Sequence, residues 1–271
     1  MAATVWKGHL TFGLVSLPIK LFTAARSETI SFNQLHKKDH SRVKYKIFCA
    51  AEDVEIQRSE IVKGYEYEKD RYVVVEDEEI KKMAPRSAKM MEILEFVKEA
   101  EVDPIYYENS YYVAPEEAGE KPYALLVESL KRSGYVAVAR IAMHNREHIV
   151  ILRPSAQNGI TLHTMYFQDE IRKTESFKSD TSVVKDRELD MAMMLVEALA
   201  AKFEPSKYKD SYRENLRAMI EAKIAGEEIV APAEVQPAKV IDIMDALKAS
   251  LAALKKPAES EETKGRKSGT A

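Results

Sequence analysis

His144, Glu147 and His148 are the residues whose types and spacing come nearest to a reaction centre. In the run His144-Asn145-Arg146-Glu147-His148 they match H-x-x-E-H, in which two histidines bind zinc and the glutamate acts as general base of a zinc-dependent hydrolase. That chemistry requires both histidines on one face of a helix, one turn apart. The flanking residues alternate as strands do instead. Tyr135, Ala137, Ala139, Ile141 and Met143 fall on one side, and Val136, Val138, Arg140 and Ala142 on the other. The pattern predicts a turn at Asn145-Arg146-Glu147 between two strands, and neither a metal nor a cofactor is expected.

Other reactive constellations are sparser. The chain has no P-loop, no G-x-G-x-x-G and no G-x-S-x-G. The acidic pairs Glu116-Glu117 and Asp169-Glu170 suit a charged turn as well as a cleft. Cys49 follows Ile47-Phe48 in an apolar stretch and reads as a buried structural thiol. Trp6, Tyr106-Tyr107 and Tyr111-Tyr112 are of the type that stacks on bases. In strands, such aromatics more often pack in the core or across the sheet. No catalytic residues are expected.

With 271 residues and 45% hydrophobic content, the chain can build a sizeable core. No apolar run approaches the roughly eighteen residues a membrane span needs. The opening Met1–Trp6 lacks the pattern of a secretory signal, and Cys49 is the single cysteine. Both point to a cytoplasmic protein without disulfides or a four-thiolate zinc site. The net charge of −3 argues against indiscriminate nucleic-acid binding, but it hides a segregation. Residues 1–47 hold eight lysines and arginines against Glu28 and Asp39, a net of +6. Residues 52–108 come to −8, and residues 131–153 return to +4. Solvated faces explain such blocks, and so does a protein with a positive inner and a negative outer surface.

Stepping from these charges to the elements that must hold them, the first two thirds reads as strands. They are expected at Val5–Phe12, Ile19–Ala24, Tyr72–Val75, Met90–Val97, Tyr135–Met143, His148–Leu152 and Ile160–Phe167, the last entered through Asn158-Gly159. One helix interrupts them, with Pro122 in its first turn, a stripe of Leu126, Val127 and Leu130, and Gly134 closing it. From Glu188 the period turns helical. Leu189, Ala192, Met193, Val196, Leu199, Ala200 and Phe203 form one stripe. Tyr212, Leu216, Met219, Ile220 and Ile224 form the next, ended by Gly226. After a Pro/Ala-rich linker at 231–237, Val240, Ile243, Met244, Leu247, Leu251 and Leu254 outline a short amphipathic helix over 240–254. A helix that short is marginal alone and needs something to dock on. Residues 257–271 are charged and read as disordered. The class is α+β, a β-barrel or sandwich with a helical extension.

Several stretches, in order, resemble the bacterial Ku family. Trp6-Lys7-Gly8-His9-Leu10-Thr11-Phe12-Gly13-Leu14-Val15-Ser16-Leu17-Pro18-Ile19 is similar to the family's opening W-K-G-x-[IL]-x-F-G-L-V-x-[IV]-P-[VI]. Ile61-Val62-Lys63-Gly64-Tyr65-Glu66-Tyr67, Tyr111-Tyr112-Val113-Ala114-Pro115 and Tyr123-Ala124-Leu125-Leu126 follow. Asn145-Arg146-Glu147-His148, Leu152-Arg153-Pro154 and Leu162-His163-Thr164-Met165 complete the set.

The resemblance implies a Ku-core β-barrel (SPOC-like) over 1–187 with loops that form a DNA-encircling ring. It implies a homodimerisation arm over 188–230 carrying Leu189, Met193, Val196, Leu199 and Phe203, and a linker, helix and tail over 231–271. The implied function is non-enzymatic, sequence-independent binding of double-stranded DNA ends in non-homologous end joining, by a cytoplasmic protein that is nucleoid-associated when bound to DNA. The implied partners are a second copy, duplex ends, and an ATP-dependent ligase (ligase D) held by Val240, Ile243, Met244, Leu247 and Leu251. Charge and position in Ku-like segments single out Lys37, Lys38, Arg42, Lys44, Lys46, Arg140 and Arg146 as DNA contacts. End binding must use phosphate rather than base edges, because breaks fall at arbitrary sequences. The short tail offsets its lysines with Glu259, Glu261 and Glu262, so little DNA affinity is expected of it.

Overall fold

The computed structural model describes residues 3–83, 89–143, 146–173, 178–227 and 243–255. The chain divides into two units, Met1–Lys173 and Thr174–Ala271.

The first unit contains β1 (Thr4–Phe12), β2 (Val15–Thr23), β3 (Lys63–Glu68), β4 (Arg71–Val75), α1 (Asp77–Met83), β5 (Met90–Lys98), β6 (Tyr107–Pro115), α2 (Glu120–Ser133), β7 (Tyr135–Met143), β8 (Arg146–Pro154) and β9 (Ile160–Met165). Seven strands close a barrel in the order β1-β2-β6-β9-β8-β7-β5, while β3 and β4 form a separate ribbon. The barrel is α+β in class once its helices are counted. Period-two alternation builds the wall: Ala137, Ala139 and Ile141 of β7 point into the core, as do Val150 and Leu152 of β8. Leu10, Leu17, Ile19, Leu21, Met91 and Leu162 join them, all fully buried. Each such Leu or Ile stabilises the fold by about 1.5–3 kcal/mol relative to exposure.

Closure comes from one parallel pair, β1 on β5, running from His9↔Met90 to Thr11↔Glu92. A side chain at Gly8 would sit 2.3 Å from the Lys89 carbonyl oxygen and 2.4 Å from the Trp6 ring, so only glycine lets β1 approach this closely. Trp6 is buried, and its indole N–H donates to the Ala142 carbonyl at 3.2 Å. Of the alternatives open to that residue, core packing is the one realised.

Helix α2 lays Tyr123, Leu126, Val127 and Leu130 on the barrel core. It ends as expected at Gly134, whose left-handed φ of 69° lets its N–H reach the Leu130 carbonyl. The Tyr123 hydroxyl donates to the Val113 carbonyl at 2.7 Å and accepts from the Ile160 N–H at 2.8 Å, tying β6 to β9 beneath the helix. Burial raises the pKa of this phenol above its ordinary value.

Strands β1, β4, β5 and β7 match the expected spans closely, whereas three elements were not anticipated. Strand β6 begins with the polar run Glu108-Asn109-Ser110, where its register against β9 shifts. The alternation is masked there by an irregularity. Strand β3 is exposed along its whole length, its alternating Tyr65-Glu66-Tyr67-Glu68 included. Helix α1 is short and has no buried residue. The expected turn at Asn145-Arg146-Glu147 is corrected as well. Arg146 and Glu147 already belong to β8, paired with Met143 and Ala142, while Asn145 lies outside the described residues. Cys49 is half-buried on an exposed excursion rather than in the core.

The second unit contains α3 (Asp186–Leu199), α4 (Ser211–Ala225) and α5 (Ile243–Lys255), with α3 packed against α5. Gly226 ends α4 in the left-handed conformation at φ 73°, as its position predicts. One correction concerns α3. Its helix stops at Leu199, so Ala200 and Phe203 do not extend the stripe. Pro205 disfavours helical geometry at Glu204, and Phe203 stacks on Tyr208 at 5.7 Å instead. Among the described residues, no helix is long and apolar enough to cross a membrane.

Candidate nucleic-acid interface

Between β2 and β3 the chain leaves the barrel and runs exposed. Two small hairpins shape it. The first is closed by His36 N–H to Ser41 C=O at 2.8 Å and Val43 N–H to Gln34 C=O at 3.1 Å. The second is closed by the paired bonds Cys49 to Val54 and Ile56 to Ile47, both 2.9 Å. Lys37 and Lys38 occupy the first tip. That turn is shaped by Asp39, which accepts from the Ser41 N–H at 3.0 Å and the Ser41 hydroxyl at 2.8 Å and sits 3.0 Å from His36 Nδ1. The same bonds, the Ser41 N–H foremost, hold the Asp39 carboxyl below its ordinary pKa.

The candidate DNA contacts separate sharply by environment. Lys37, Lys38 and Lys44 are exposed and have no hydrogen bond or ion pair among the described residues. Arg42 is exposed too and donates to the neutral Asn33 Oδ1 at 2.8 Å. Lys46 is paired with Glu55 at 2.6 Å. Four of these five therefore keep their full positive charge toward solvent.

The second basic block, 131–153, is different. Arg140 lies 3.2 Å from Glu92 and 3.9 Å from Glu147. Arg146 pairs with Glu170 at 2.5 Å, with Phe167 beneath its guanidinium at 5.9 Å. Glu170 is held below its ordinary pKa, first by the Phe167 N–H and then by Arg146. Arg153 pairs with Glu99 at 2.5 Å and Arg132 with Glu128 at 2.7 Å, while Lys131 donates to Asn158. Every basic side chain of this block is thus already engaged. Strand register separates the two candidates further. Arg140 alternates with inward-facing Ala139 and Ile141 and so lies on the outer wall, whereas Arg146 pairs with Met143 on the core-facing side at the barrel rim. The structure does not gather them on one surface.

A third basic pair was not singled out from the sequence. Lys7 and Lys20 face each other across β1 and β2, and Glu116 lies 2.9 Å and 3.0 Å from them. Like charges directly opposed destabilise a sheet, and the shared carboxylate removes that penalty. Lys7, then Lys20, hold Glu116 below its ordinary pKa. Glu116 read as part of a charged turn because its partners lie far away in sequence.

The zinc reading finds no support in this geometry. Glu147 and His148 sit on a strand, opposite Ala142 and Ile141, and His144 lies outside the described residues. Among the described residues no group of three His, Cys, Asp or Glu is placed to hold a metal ion. On β9, His163 Nδ1 shares a hydrogen bond with the Ser110 hydroxyl at 2.9 Å, and the ring packs on Tyr107 at 5.0 Å. Burial, then Arg153, lowers its pKa.

The excursion also exposes large apolar side chains: Phe32 (66%), Tyr45 (78%), Tyr65 (67%) and Tyr72 (59%), with Val62, Val73 and Val74 nearby. The α3 stripe does the same with Leu189, Met193, Val196 and Leu199, and Phe203 beyond the helix is exposed too. Of the residues assigned to ligase binding, Met244, Leu247 and Leu251 are half-buried on α5. Ile243 begins that helix, and Val240 lies outside the described residues.

The first unit is a closed seven-strand barrel with an exposed basic excursion between β2 and β3. Residues 11–191 match the family model described as the Ku70/Ku80 beta-barrel domain. The non-homologous end joining protein Ku of Koribacter versatilis is 57% identical over 258 residues, covering 94% of this chain and 88% of the relative. The protein of that name from Solibacter usitatus is 50% identical, with 97% of each chain covered. The one from Bacillus subtilis is 39% identical, with 94% and 83% covered. The chain belongs to the Ku family.

Proposed function

We propose that the chain binds the ends of double-stranded DNA in non-homologous end joining, as a ring-shaped homodimer that recruits an ATP-dependent ligase of the ligase D type and performs no catalysis itself. The observation that carries this reading is the excursion 24–83. It presents Lys37, Lys38, Arg42 and Lys44 to solvent without carboxylate partners, beside apolar side chains that one copy leaves uncovered. Free lysines and arginines suit phosphate, which every sequence offers alike. The uncovered aromatics suit a second copy, as does the stripe Leu189, Met193, Val196 and Leu199, with Phe203 beside it. Family membership and the relatives' names support the end-joining role. A closed ring also reconciles DNA binding with a net charge of −3, since only the inner surface must be positive.

The deciding experiment compares binding to linear duplex with binding to closed circles of the same sequence, across salt concentrations. Binding to the linear form and negligible binding to circles at moderate salt is the expected result. Equal binding to both would overturn the threading ring.

A further inference from the structure

Helix α3 carries two apolar faces, and the structure covers one of them. Glu188, Met191, Ala192 and Leu195 are half-buried and recur at i, i+3, i+4 and i+7, which is one face of a helix. Leu189, Met193 and Val196 are 50%, 52% and 63% exposed. Their stripe lies about 100–120° around the helix at 3.6 residues per turn. The helix packed against α3 is α5, from the same unit. On α5 the half-buried side chains include Met244, Leu247 and Leu251, spaced i, i+3 and i+7, while Lys248, Ser250 and Ala252 are exposed.

Met244, Leu247 and Leu251 are three of the five residues that the resemblance gives to the ligase. One stripe cannot face α3 and a partner at the same time. We infer that the Met191, Ala192 and Leu195 face of α3 is the resting dock of α5, so that α5 is held in cis until a partner displaces it. The opposite stripe of α3 is thereby left for a second copy of the chain. The gating step rests on the ligase-recruitment reading above; the dock itself does not.

The physical chemistry favours such an arrangement. A helix as short as α5 is marginal on its own and gains its order from the surface it covers. Because α3 and α5 belong to one chain, the effective concentration of α5 at its dock is on the order of millimolar. Even a weak contact, with a dissociation constant near 0.1 mM in trans, would then keep α5 docked about ten times out of eleven. A partner that needs the free helix binds about tenfold more weakly than it would to an undocked chain.

The test uses the full chain and two single substitutions on opposite sides of the contact, Leu195→Glu on α3 and Leu251→Glu on α5. Glutamate keeps helix propensity while placing a charge in the dock. Amide exchange over 243–255 is expected to rise about tenfold in each variant, with exchange in β7 and β8 unchanged as the control for folding. A synthetic peptide of residues 240–255 should bind the Leu251→Glu chain about tenfold more tightly than the unsubstituted chain, because only the variant leaves the dock empty. Unchanged exchange in both variants, or equal peptide binding, overturns the dock. The gate is read separately, with purified ligase D: Leu195→Glu should strengthen its capture about tenfold. Raised exchange with unaltered ligase capture would overturn the gate and leave the dock standing. Loss of linear-DNA binding by the unsubstituted chain would count against the proposed function without touching the exchange result.

Discussion

The barrel wall and the excursion are built from similar residues and meet opposite fates. In the wall, Ile141, Val150, Leu152 and Leu162 are fully buried, and Arg132, Arg140, Arg146 and Arg153 of the second basic block are matched by Glu128, Glu92 with Glu147, Glu170 and Glu99. In the excursion, Tyr65, Tyr72, Val73 and Val74 stand in solvent, and Lys37, Lys38 and Lys44 have no carboxylate partner among the described residues. The barrel keeps its largest apolar side chains inside, whereas the excursion leaves its own in solvent. Under the proposed function, the exposed strand-forming residues face a second copy and the unmatched lysines face an anionic partner.

The contrast can be broken or sharpened by experiment. Ile141→Ala removes a fully buried side chain from the wall and should cost about 2–5 kcal/mol, measured by denaturant unfolding. A cost below 1 kcal/mol would mean the wall is not the core. Tyr123→Phe leaves the Ile160 N–H without its acceptor and should cost about 1–3 kcal/mol, with the fold retained. In the excursion the same measurement should scarcely respond: Tyr72→Ala should stay within about 0.5 kcal/mol for the separated chain. Its effect should appear as a shift toward monomer in sedimentation, and a variant that unfolds the chain but leaves its assembly unchanged would reverse the comparison. Replacing Lys37, Lys38 and Lys44 by alanine should flatten the salt dependence of end binding by about 0.9 in log–log slope for each lysine on a phosphate. Arg140→Ala, already screened by two carboxylates, should change that slope less than any one of the lysines.

The smallest effect concerns His163. Burial and Arg153 depress its pKa, so the unfolded chain takes up a proton more readily than the folded one. Its contribution to stability is complete above the ordinary histidine pKa near 6.5 and declines as pH falls below that value. His163→Gln should remove that part of the acid-side slope, leaving the lower-pH loss that comes from depressed carboxylates such as Glu116 and Glu170. An unchanged slope between pH 6.5 and 5 would show that His163 is not the titrating group.

The strands with one buried face were readable because burial writes a two-residue period into the sequence, as Tyr135–Met143 shows. Gly134 and Gly226 were readable because a left-handed helix end nearly demands glycine. Strand β3 was not singled out although Tyr65-Glu66-Tyr67-Glu68 alternates, a pattern that within one chain buries nothing. The end of α3 was missed because Ala200 and Phe203 happen to continue the helical spacing past Leu199, where the local chain stops being helical.

The candidate DNA contacts divide along the same line. Composition located both basic blocks but could not tell charged from matched. The partners of Arg140, Arg146 and Arg153 come from other elements: Glu92 on β5, Glu170 beyond β9, and Glu99 after β5. By itself the sequence determined the class of elements, the position of the basic excursion and the resemblance to Ku, all of which depend on local order along the chain. Only the tertiary structure decided which charges remain free among the described residues, that a parallel β1–β5 pair closes the barrel at Gly8, and that α5 packs against α3. Those outcomes depend on distances between residues far apart in sequence, which pattern and composition do not encode.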